Sequence, residues 1–213
     1  MENRKKIIRA SSNRNITLEI IPGHFATNHS HINYFVDLTT LKSQFRSAKA
    51  AAEELASRFA TKTPVDTIVC LEGTEMVGAF LAEELARPGS LSLSQGADIA
   101  VLTPETNANN QMLFRDNMQK MVWNKNILLL ISSASTGKTI IRSMECLKYY
   151  NGRLAGVAAL FSAEPQVAGV NVEAIFTAND LPGYINSLSG DCPMCRNGQK
   201  IDAIVNSFGY SKI

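Results

Sequence analysis

The sequence predicts an α/β fold with a mostly parallel sheet flanked by helices. Short apolar runs typical of buried strands alternate along the chain with segments whose apolar residues recur at helical spacing. The strongest apolar run, residues 126–131, leads into a turn rich in serine, threonine and glycine, and this turn opens the next helical segment. Such alternation of strands and helices is the pattern of a parallel sheet that is covered on both faces.

Each element of this predicted core follows from a local pattern. Residues 41–60 carry an apolar stripe at helical spacing, which Thr39 or Thr40 can cap and which Thr63-Pro64 would end. The later elements are bounded in a similar way by turn residues. In chain order they are a strand over 67–71, a helix over 77–85, strands over 98–102 and 126–131, a helix over 140–147, and strands over 154–161 and 172–176.

One segment lacks this regularity. Residues 104–126 begin with a polar, aperiodic stretch and continue through a mixed stretch that contains Arg115, Lys120 and Trp123. A long irregular segment inside a compact domain is either a mobile functional loop or an element that the pattern fails to reveal. The sequence leaves both interpretations open.

The composition excludes several classes of protein. Hydrophobic residues are 45% and charged residues 19% of the 213 residues, which excludes intrinsic disorder. The formal net charge of +2 is too balanced for a general nucleic-acid binder, so we expect no nucleic-acid partner. The sequence has no apolar run of the ~20 residues that a membrane span needs, and no secretion signal follows the basic N-terminus. We therefore expect a cytoplasmic protein without a membrane partner.

The turn after residues 126–131 has the chemistry of an anion site. Unpaired N–H groups converge where a strand feeds a helix, and the hydroxyls of Ser135, Thr136 and Thr139 can donate as well. Gly137 lets the backbone approach a phosphate closely. The alternative is that Thr139 merely caps its helix.

A nucleotide P-loop is the first comparison for a turn that contains Gly137-Lys138-Thr139. That loop, GxxxxGK[ST], needs glycine five positions before Gly137, where this sequence has Ser132. The sequence also has no second strand that ends in an aspartate suited to hold magnesium beside the turn. The turn therefore departs from a P-loop.

Three segments in one order resemble a single family. Residues 127–139, an apolar strand followed by Ser-Thr-Gly-Lys-Thr, resemble the phosphoribosyl diphosphate signature of type I phosphoribosyltransferases. Residues 22–34 are similar to the Gly-His-Phe…His-Ser…Tyr opening of orotate phosphoribosyltransferases. Residues 192–198 are similar to a Cys-Pro-Leu-Cys-x-x-Gly tail found in part of that group.

This resemblance implies an architecture and a reaction. The architecture is an N-terminal hood over residues 1–40, a phosphoribosyltransferase-like core over 41–190 and a CxxC tail over 191–213, assembled as a homodimer. In the reaction, pyrophosphate leaves the ribose C1 carbon while a ring nitrogen of a pyrimidine-type base such as orotate takes its place. The implied ligands are phosphoribosyl diphosphate, a nucleobase or nucleotide and Mg²⁺, and the implied process is pyrimidine biosynthesis within nucleotide metabolism.

The resemblance also assigns roles to particular residues. Residues 104–126 match the mobile loop that closes over the site, and Arg115 and Lys120 are its candidate catalytic cations. The remaining candidates would bind substrate and phosphate. They are Ser132, Ser135, Thr136, Gly137, Lys138 and Thr139 in the phosphate loop, and Glu72, Gly73, Thr74 and Glu75 in the turn that matches the pyrophosphate loop.

The sequence departs from the family at one decisive place. The two acidic residues that hold the ribose hydroxyls in the family fall on Ile131 and Ser132. We offer the hypothesis that Glu72 or Glu75 supplies the magnesium-side charge that is missing there. The alternative is that both glutamates point to solvent, with Glu75 favouring the N-terminus of its helix.

Two functions from different classes follow from this departure. The first is an active phosphoribosyltransferase with unusual metal handling. The second is a non-catalytic protein of the same fold that senses a nucleotide or sugar phosphate. The retained phosphate loop serves either function, whereas the missing acidic pair favours the second.

The cysteines and histidines raise a separate question about zinc. Cys192 and Cys195 could bind Zn²⁺, but a structural zinc site has four protein ligands and this motif supplies two. Two chains of a dimer could complete the site, or a histidine among His24, His29 and His31 could contribute. A free, reduced CxxC is the other interpretation. We expect Cys70 and Cys146 to be core residues, since both lie on apolar faces.

Overall fold

Two six-stranded sheets form the framework of the computed structural model, which describes residues 2–107 and 111–213. Met1 of the predicted hood and residues 108–110 of the irregular segment lie outside the described residues. The strands are β1 (Lys6–Arg9), β2 (Thr17–Ala26), β3 (His31–Asp37), β4 (Thr67–Cys70), β5 (Ala100–Leu102), β6 (Glu105–Thr106), β7 (Met112–Leu113), β8 (Asn126–Ala134), β9 (Arg153–Ser162), β10 (Gln166–Val167), β11 (Val170–Thr177), β12 (Asn186–Ser187), β13 (Ala203–Asn206) and β14 (Gly209–Lys212). The helices are α1 (Thr39–Ser43), α2 (Phe45–Phe59), α3 (Glu75–Ala86), α4 (Asp116–Gln119), α5 (Lys138–Tyr149) and α6 (Pro193–Arg196), with short 3₁₀ turns at Glu2–Arg4, Ala178–Asp180 and Ser189–Asp191.

The central sheet confirms the predicted α/β class. Its strand order is β10-β11-β9-β8-β4-β5, and all neighbours are parallel except the hairpin of β10 with β11. Successive side chains of β8 alternate between two cores: Leu128 and Leu130 pack with α2 and α3, whereas Ile127 and Leu129 pack with α5. Because helices cover both faces of the central sheet, the sequence of β8 is a nearly continuous apolar run without alternating polar residues at its centre.

The second sheet joins the two ends of the chain. Its order is β12-β3-β2-β13-β14, with β1 paired to the outer part of β2. Strand β13, from the C-terminal tail, runs parallel to β2 and pairs Ala203 with Phe25. Beside this contact, Asp202 accepts hydrogen bonds from the Arg4 guanidinium at 2.7 and 3.2 Å, and the Arg4 contact lowers the pKa of Asp202. The predicted hood and tail thus share one sheet, and the division at residues 40 and 190 stays a prediction.

The first predicted helix is divided in two. Gln44 is extended, with φ −99° and ψ 124°, and it separates α1 from α2. This break accompanies a tertiary contact: the buried Lys42 ammonium donates to the carbonyl oxygens of Glu72 and Ser207 at 2.9 and 2.7 Å. No glycine or proline marks residues 43–44, so the local sequence could not reveal the break.

The predicted N-terminal cap of that helix is wrong. Thr39 lies inside α1 rather than at its cap, and its N–H donates to the Asp37 carboxylate at 3.0 Å. The predicted C-terminal end is confirmed to within one residue, because α2 ends at Phe59 and Thr63-Pro64 follows. The irregular segment at 104–126 contains elements that the pattern did not reveal, namely the hairpin of β6 with β7 and the short helix α4.

Among the described residues, no helix combines the length and apolarity needed to cross a membrane.

Helix α3 packs on β4 through a glycine, and this contact predicts a strong effect for Gly78→Ala. A methyl group at Gly78 would collide with the Cys70 sulfur and lie 3.3 Å from Val101. Overpacking of this kind costs about 1–3 kcal/mol. The helix propensity of alanine recovers only about 1 kcal/mol. Because the methyl group would overlap the Cys70 sulfur severely, we take the upper part of the overpacking range, about 2–3 kcal/mol, and expect Gly78→Ala to lower the free energy of unfolding by a net of about 1–2 kcal/mol, measured by urea denaturation.

A double mutant tests the cause of that loss. In Cys70→Ala/Gly78→Ala the colliding sulfur is absent, so the double variant should be more stable than Gly78→Ala alone. Cys70 can be replaced without chemical consequence because burial raises the pKa of its thiol to about 12, which keeps it protonated and inert. Equal stability of Gly78→Ala and the wild type would contradict the packing described here.

Candidate phosphate-binding cavity and metal-ligand cluster

A cavity of about 220 Å³ lies between the central sheet and the N-terminal hood. It opens where β8 ends, at the carboxyl edge of the parallel strands, which is where ligands bind in open α/β sheets. Its lining comes from six separate parts of the chain. They are Thr27–His29 with Ile32, Phe35 and Val36; Glu72; Ile131 with Ser133–Ile140; Phe161; Tyr184; and Val205–Ser207.

The predicted phosphate loop forms the floor of this cavity. Ser135, Thr136, Gly137, Lys138 and Thr139 all line it. Gly137 has φ 71° and ψ 0° and stands as the N-cap of α5, a backbone conformation that favours glycine. The described side chains provide no cap for this helix, so its first N–H groups are available to an anion. Thr139 lies within the helix, and the alternative in which it serves only as the cap is therefore wrong.

A contact from the second sheet orients the phosphate loop. The Asn186 side-chain N–H of β12 donates to the Ser135 carbonyl oxygen at 2.6 Å. Asn186 pairs in turn with Ile32 of β3. The loop is therefore connected to the hood through a strand that the sequence did not predict.

Glu72 lies beside the position where the acidic pair is missing. Its Oε2 atom accepts a hydrogen bond from the Ser132 hydroxyl at 2.6 Å and another from the Ser133 N–H at 3.3 Å. Ser132 is completely buried, and Ile131 is buried in the core shared with α5. A carboxylate from the turn after β4 therefore reaches the end of β8, where the sequence of β8 itself has none.

Partial burial makes the ionised form of the Glu72 carboxyl group less favourable. Loss of solvent raises the pKa of Glu72 above its ordinary value, against the opposing effects of the Ser132 and Ser133 hydrogen bonds and the Lys42 charge. Glu72 is also one of the few non-glycine residues with positive φ, at 60°. Burial likewise lowers the pKa of Lys42. A half-buried carboxylate with a raised pKa and a strained backbone at the same residue are typical of functional sites.

The other residues of this turn do not line the cavity. Glu75 is exposed in the first turn of α3 and accepts a hydrogen bond from the Thr103 hydroxyl at 2.9 Å. Thr74 is buried, and its hydroxyl donates to the carbonyl oxygens of Leu71 and Leu130. Gly73 is exposed with φ 80°. The alternative that the glutamates point to solvent thus describes Glu75 and not Glu72.

Arg115 and Lys120 lie outside the cavity. Arg115 follows β7, and its guanidinium donates to both oxygens of Glu105 at 2.9 and 2.6 Å. Lys120 is exposed at the end of α4. Their catalytic role therefore stays a prediction, and the structure does not bring them to the phosphate loop.

Sequence reasoning missed Lys42, whose ammonium donates to the Glu72 carbonyl oxygen, and it also missed several residues that line the cavity. Asn206 and Ser207 had no signal in the sequence, because only the pairing of β13 with β2 brings them there. Phe35, Phe161 and Tyr184 form the apolar side of the cavity, and their strand patterns alone could not separate them from ordinary core residues.

A second cluster lies where the hood meets the C-terminal tail. It contains His24 and His31 from β2 and β3, and Cys192 and Cys195 around α6. One nitrogen or sulfur atom from each lies within 4.8 Å of every other. His24 and Cys192 are fully buried, His31 is 9% exposed, and Cys195 reaches the surface. All four residues belong to one chain, so a second chain is not needed to supply four ligands. The third candidate histidine, His29, lines the cavity instead.

Hydrogen bonds define the chemical state of this cluster. The Gln199 carbonyl oxygen lies 2.8 Å from His24 Nδ1 and accepts its proton, which leaves Nε2 facing His31 and the two cysteines. Burial lowers the pKa of His31 and favours its neutral form, with a further contribution from His24. Burial raises the pKa of Cys192, but N–H groups of Cys195 and Met194 outweigh this effect and leave that pKa below its ordinary value. Burial and the neighbouring Cys192 in turn raise the pKa of Cys195. Neutral imidazoles and thiolates are the forms that bind metals.

Comparisons with known proteins establish the fold. The chain matches no protein-family model and no curated protein. It is similar to the crystal structure of Mycobacterium tuberculosis H37Rv orotate phosphoribosyltransferase in complex with Fe(III) dicitrate, at 15% identity and a TM-score of 0.51, over 83% of this chain and 90% of that one.

Two further solved structures are similar to this chain in fold. A phosphoribosyltransferase from Corynebacterium diphtheriae matches at 18% identity and a TM-score of 0.53, over 76% of this chain and 90% of that one. Leishmania donovani UMP synthase matches at 15% identity and a TM-score of 0.55, over 76% of this chain and 34% of that one. Together with the strand order and the loop at the end of β8, these likenesses show that the chain has the type I phosphoribosyltransferase fold.

Proposed function

We propose that this protein binds phosphoribosyl diphosphate and transfers its phosphoribose to a pyrimidine-type base such as orotate, releasing pyrophosphate. One observation carries the proposal. The same cavity contains an uncapped phosphate loop at residues 135–139 and, from the turn after β4, a carboxylate at the place of the missing acidic pair. A site for a bare anion would gain nothing from the Glu72 carboxylate, whereas a sugar phosphate has hydroxyls for it to bind.

The phosphate loop is proposed to bind the 5′-phosphate. The first residues of α5 line the cavity at the positive end of the helix dipole, and the hydroxyls of Ser135, Thr136 and Thr139 add donors. Lys138 adds a positive charge at the first residue of α5. These groups can satisfy the three oxygens of a terminal phosphate without any metal.

Glu72 is proposed to bind the ribose hydroxyls. A carboxylate offers about four lone-pair sites, of which Ser132 and Ser133 use two on Oε2. The remaining acceptor sites match a pair of neighbouring hydroxyls. In this role Ser132 orients the carboxylate instead of replacing it.

Magnesium fits the same residues. Mg²⁺ is commonly bound by one or two carboxylates together with the phosphates of the substrate, and Glu72 is the carboxylate that lines the cavity. Glu72 would hold the ion, and the ion would supply charge neutralisation for the departing pyrophosphate. Burial raises the pKa of Glu72, and a bound cation would oppose that effect and favour the ionised carboxylate.

The chain's own contribution to transfer is positioning and exclusion of water. Bond cleavage at C1 develops positive charge on the ribose ring, and a fixed carboxylate beside that ring stabilises such charge. Phe35, Phe161 and Tyr184 provide an apolar wall for a flat base. We further propose that the protein acts in the cytoplasm as a homodimer, and that the segment 104–126 closes over the site.

A non-catalytic sensor of sugar phosphates is the second candidate. It is favoured by the placement of Arg115, which pairs with Glu105 outside the cavity and leaves the pyrophosphate side without a cation from this segment. Such a protein would use the same phosphate loop and Glu72 for binding. The two candidates differ only in turnover.

Calorimetry and a turnover assay test both candidates. We expect phosphoribosyl diphosphate to bind more tightly with Mg²⁺ than with EDTA, and we expect pyrophosphate release when a pyrimidine-type base is added. Tight binding without release from any base of a panel would replace transfer by the sensor function. Absence of binding under both conditions would overturn both.

A further inference from the structure

We propose that His24, His31, Cys192 and Cys195 form a structural zinc site that joins the N-terminal hood to the C-terminal tail. This inference is independent of the proposed function, because it concerns a cluster that does not line the cavity. Cys192 and His24 are 168 positions apart in the chain, so their convergence is a product of the tertiary structure.

Four distances within the cluster lie within about 0.3 Å of those expected for a tetrahedral zinc site. With Zn–S of about 2.3 Å and Zn–N of about 2.0–2.1 Å, tetrahedral geometry places nitrogen pairs about 3.3 Å apart and sulfur–nitrogen pairs about 3.6 Å apart. Here His24 Nε2 lies 3.0 Å from His31 Nδ1, and 3.6 and 3.7 Å from the sulfurs of Cys192 and Cys195. Cys195 Sγ lies 3.3 Å from His31 Nδ1. The set of ligands is Cys₂His₂, which is typical of structural zinc.

The surroundings of the cluster support a metal over a chain of hydrogen bonds. The Gln199 carbonyl uses the Nδ1 proton of His24, and such a contact orients a histidine ligand and leaves Nε2 to face the metal. Without a metal, His24 Nε2 can accept a strong hydrogen bond from His31 alone. Its other two neighbours are thiols, which are weak donors. A zinc ion would satisfy all four atoms together.

The site has an architectural consequence for the cavity. The chain between the two histidine ligands includes Thr27, Asn28 and His29, which line the cavity from the hood side. His31 also pairs with Ser187, next to Asn186 and its contact with the phosphate loop. Because four protein ligands close the coordination sphere, the site is structural, and its effect is to hold this hood segment in place.

Metal analysis of the full-length protein tests the proposal. The protein, freed of any histidine tag and kept reduced to prevent a Cys192–Cys195 disulfide, should contain one zinc ion per chain. Cobalt substitution should give the visible bands of tetrahedral Co²⁺ together with a thiolate-to-cobalt charge-transfer band. Cys195→Ser is the most informative variant, because Cys195 lies at the surface and its replacement should leave the fold intact. We expect it to weaken zinc binding by more than about tenfold.

Two matched controls come from the same chain. His29→Asn removes a hood histidine outside the cluster, and Cys146→Ser removes a half-buried cysteine far from it. Both should keep one zinc ion per chain and the cobalt spectrum. Zinc removal from the wild type should also increase amide hydrogen exchange over 24–31 and 192–199, and addition of zinc should reverse the increase. Failure of reduced wild-type protein to bind zinc, or full zinc content in Cys195→Ser, would overturn the proposal.

Discussion

Glu72→Gln is expected to weaken magnesium-dependent binding of phosphoribosyl diphosphate by roughly 10- to 100-fold, the usual range for loss of hydrogen bonds to a charged group. The substitution preserves the shape of the side chain, and its carbonyl oxygen can still accept from Ser132 and Ser133. Only the charge and the acceptor sites for ribose and magnesium are lost. Calorimetry with and without Mg²⁺ measures the effect, and pyrophosphate release should fall in parallel.

The same variant should be more stable than the wild type at neutral pH. Burial raises the folded-state pKa of Glu72, so the folded protein binds more protons than the unfolded chain between the ordinary value of 4.5 and that raised value. The stability of the wild type relative to Glu72→Gln is therefore highest below pH 4.5 and falls as the pH rises through the folded pKa. Urea denaturation of both proteins across this pH range measures the difference.

Two further variants isolate the cause. Glu75→Gln is the matched control, because Glu75 is exposed and does not line the cavity, and it should change neither binding nor stability appreciably. In Glu72→Gln/Ser132→Asp the charge returns to the end of β8, and part of the binding should be recovered. Wild-type affinity in Glu72→Gln would refute the role proposed for this carboxylate.

Gly137→Ala is expected to reduce phosphoribosyl diphosphate affinity by at least about tenfold and to destabilise the protein by about 1–3 kcal/mol. Gly137 has φ 71°, and a methyl group on it would lie 2.6 and 2.8 Å from the two γ-carbons of Val167. Relief of this overlap requires the phosphate loop or the β10–β11 hairpin to move. Either movement would shift the N–H groups at the start of α5 that are proposed to bind the phosphate.

Gly169→Ala separates the overlap from the backbone strain. Gly169 has a similar φ of 82°, but a methyl group there would meet nothing within 4 Å. We expect a loss of about 1 kcal/mol in the free energy of unfolding and unchanged affinity for phosphoribosyl diphosphate. In Gly137→Ala/Val167→Ala the overlap is removed, and stability should partly return. Full affinity in Gly137→Ala would contradict the assignment of this loop to phosphate.

The parts of the site that the sequence predicted are contiguous in the chain. The phosphate loop at 135–139 and the strand that precedes it form a single strand–turn–helix unit, whose geometry depends on neighbouring residues and on Gly137. The α/β class was predictable for the same reason, since strand and helix periods are local properties. The break at Gln44 was not, because it accompanies the contact of Lys42 with residues far along the chain.

The contacts that complete both sites are long-range. Ser132 is 60 positions from Glu72, and the sequence could offer Glu72 and Glu75 only as equal alternatives for the missing charge. The tertiary structure separated them, because the Glu72 carboxylate accepts hydrogen bonds from Ser132 and Ser133 of β8, whereas Glu75 begins α3.

The sequence by itself thus determined the fold class, the phosphate loop and the residue types that could bind a metal. The tertiary structure decided which carboxylate lies at Ser132 and which histidines join Cys192 and Cys195. The physical reason is that local patterns encode backbone geometry over a few residues. The pairing of strands such as β13 with β2 instead determines which distant side chains meet, and that pairing depends on burial across the whole chain.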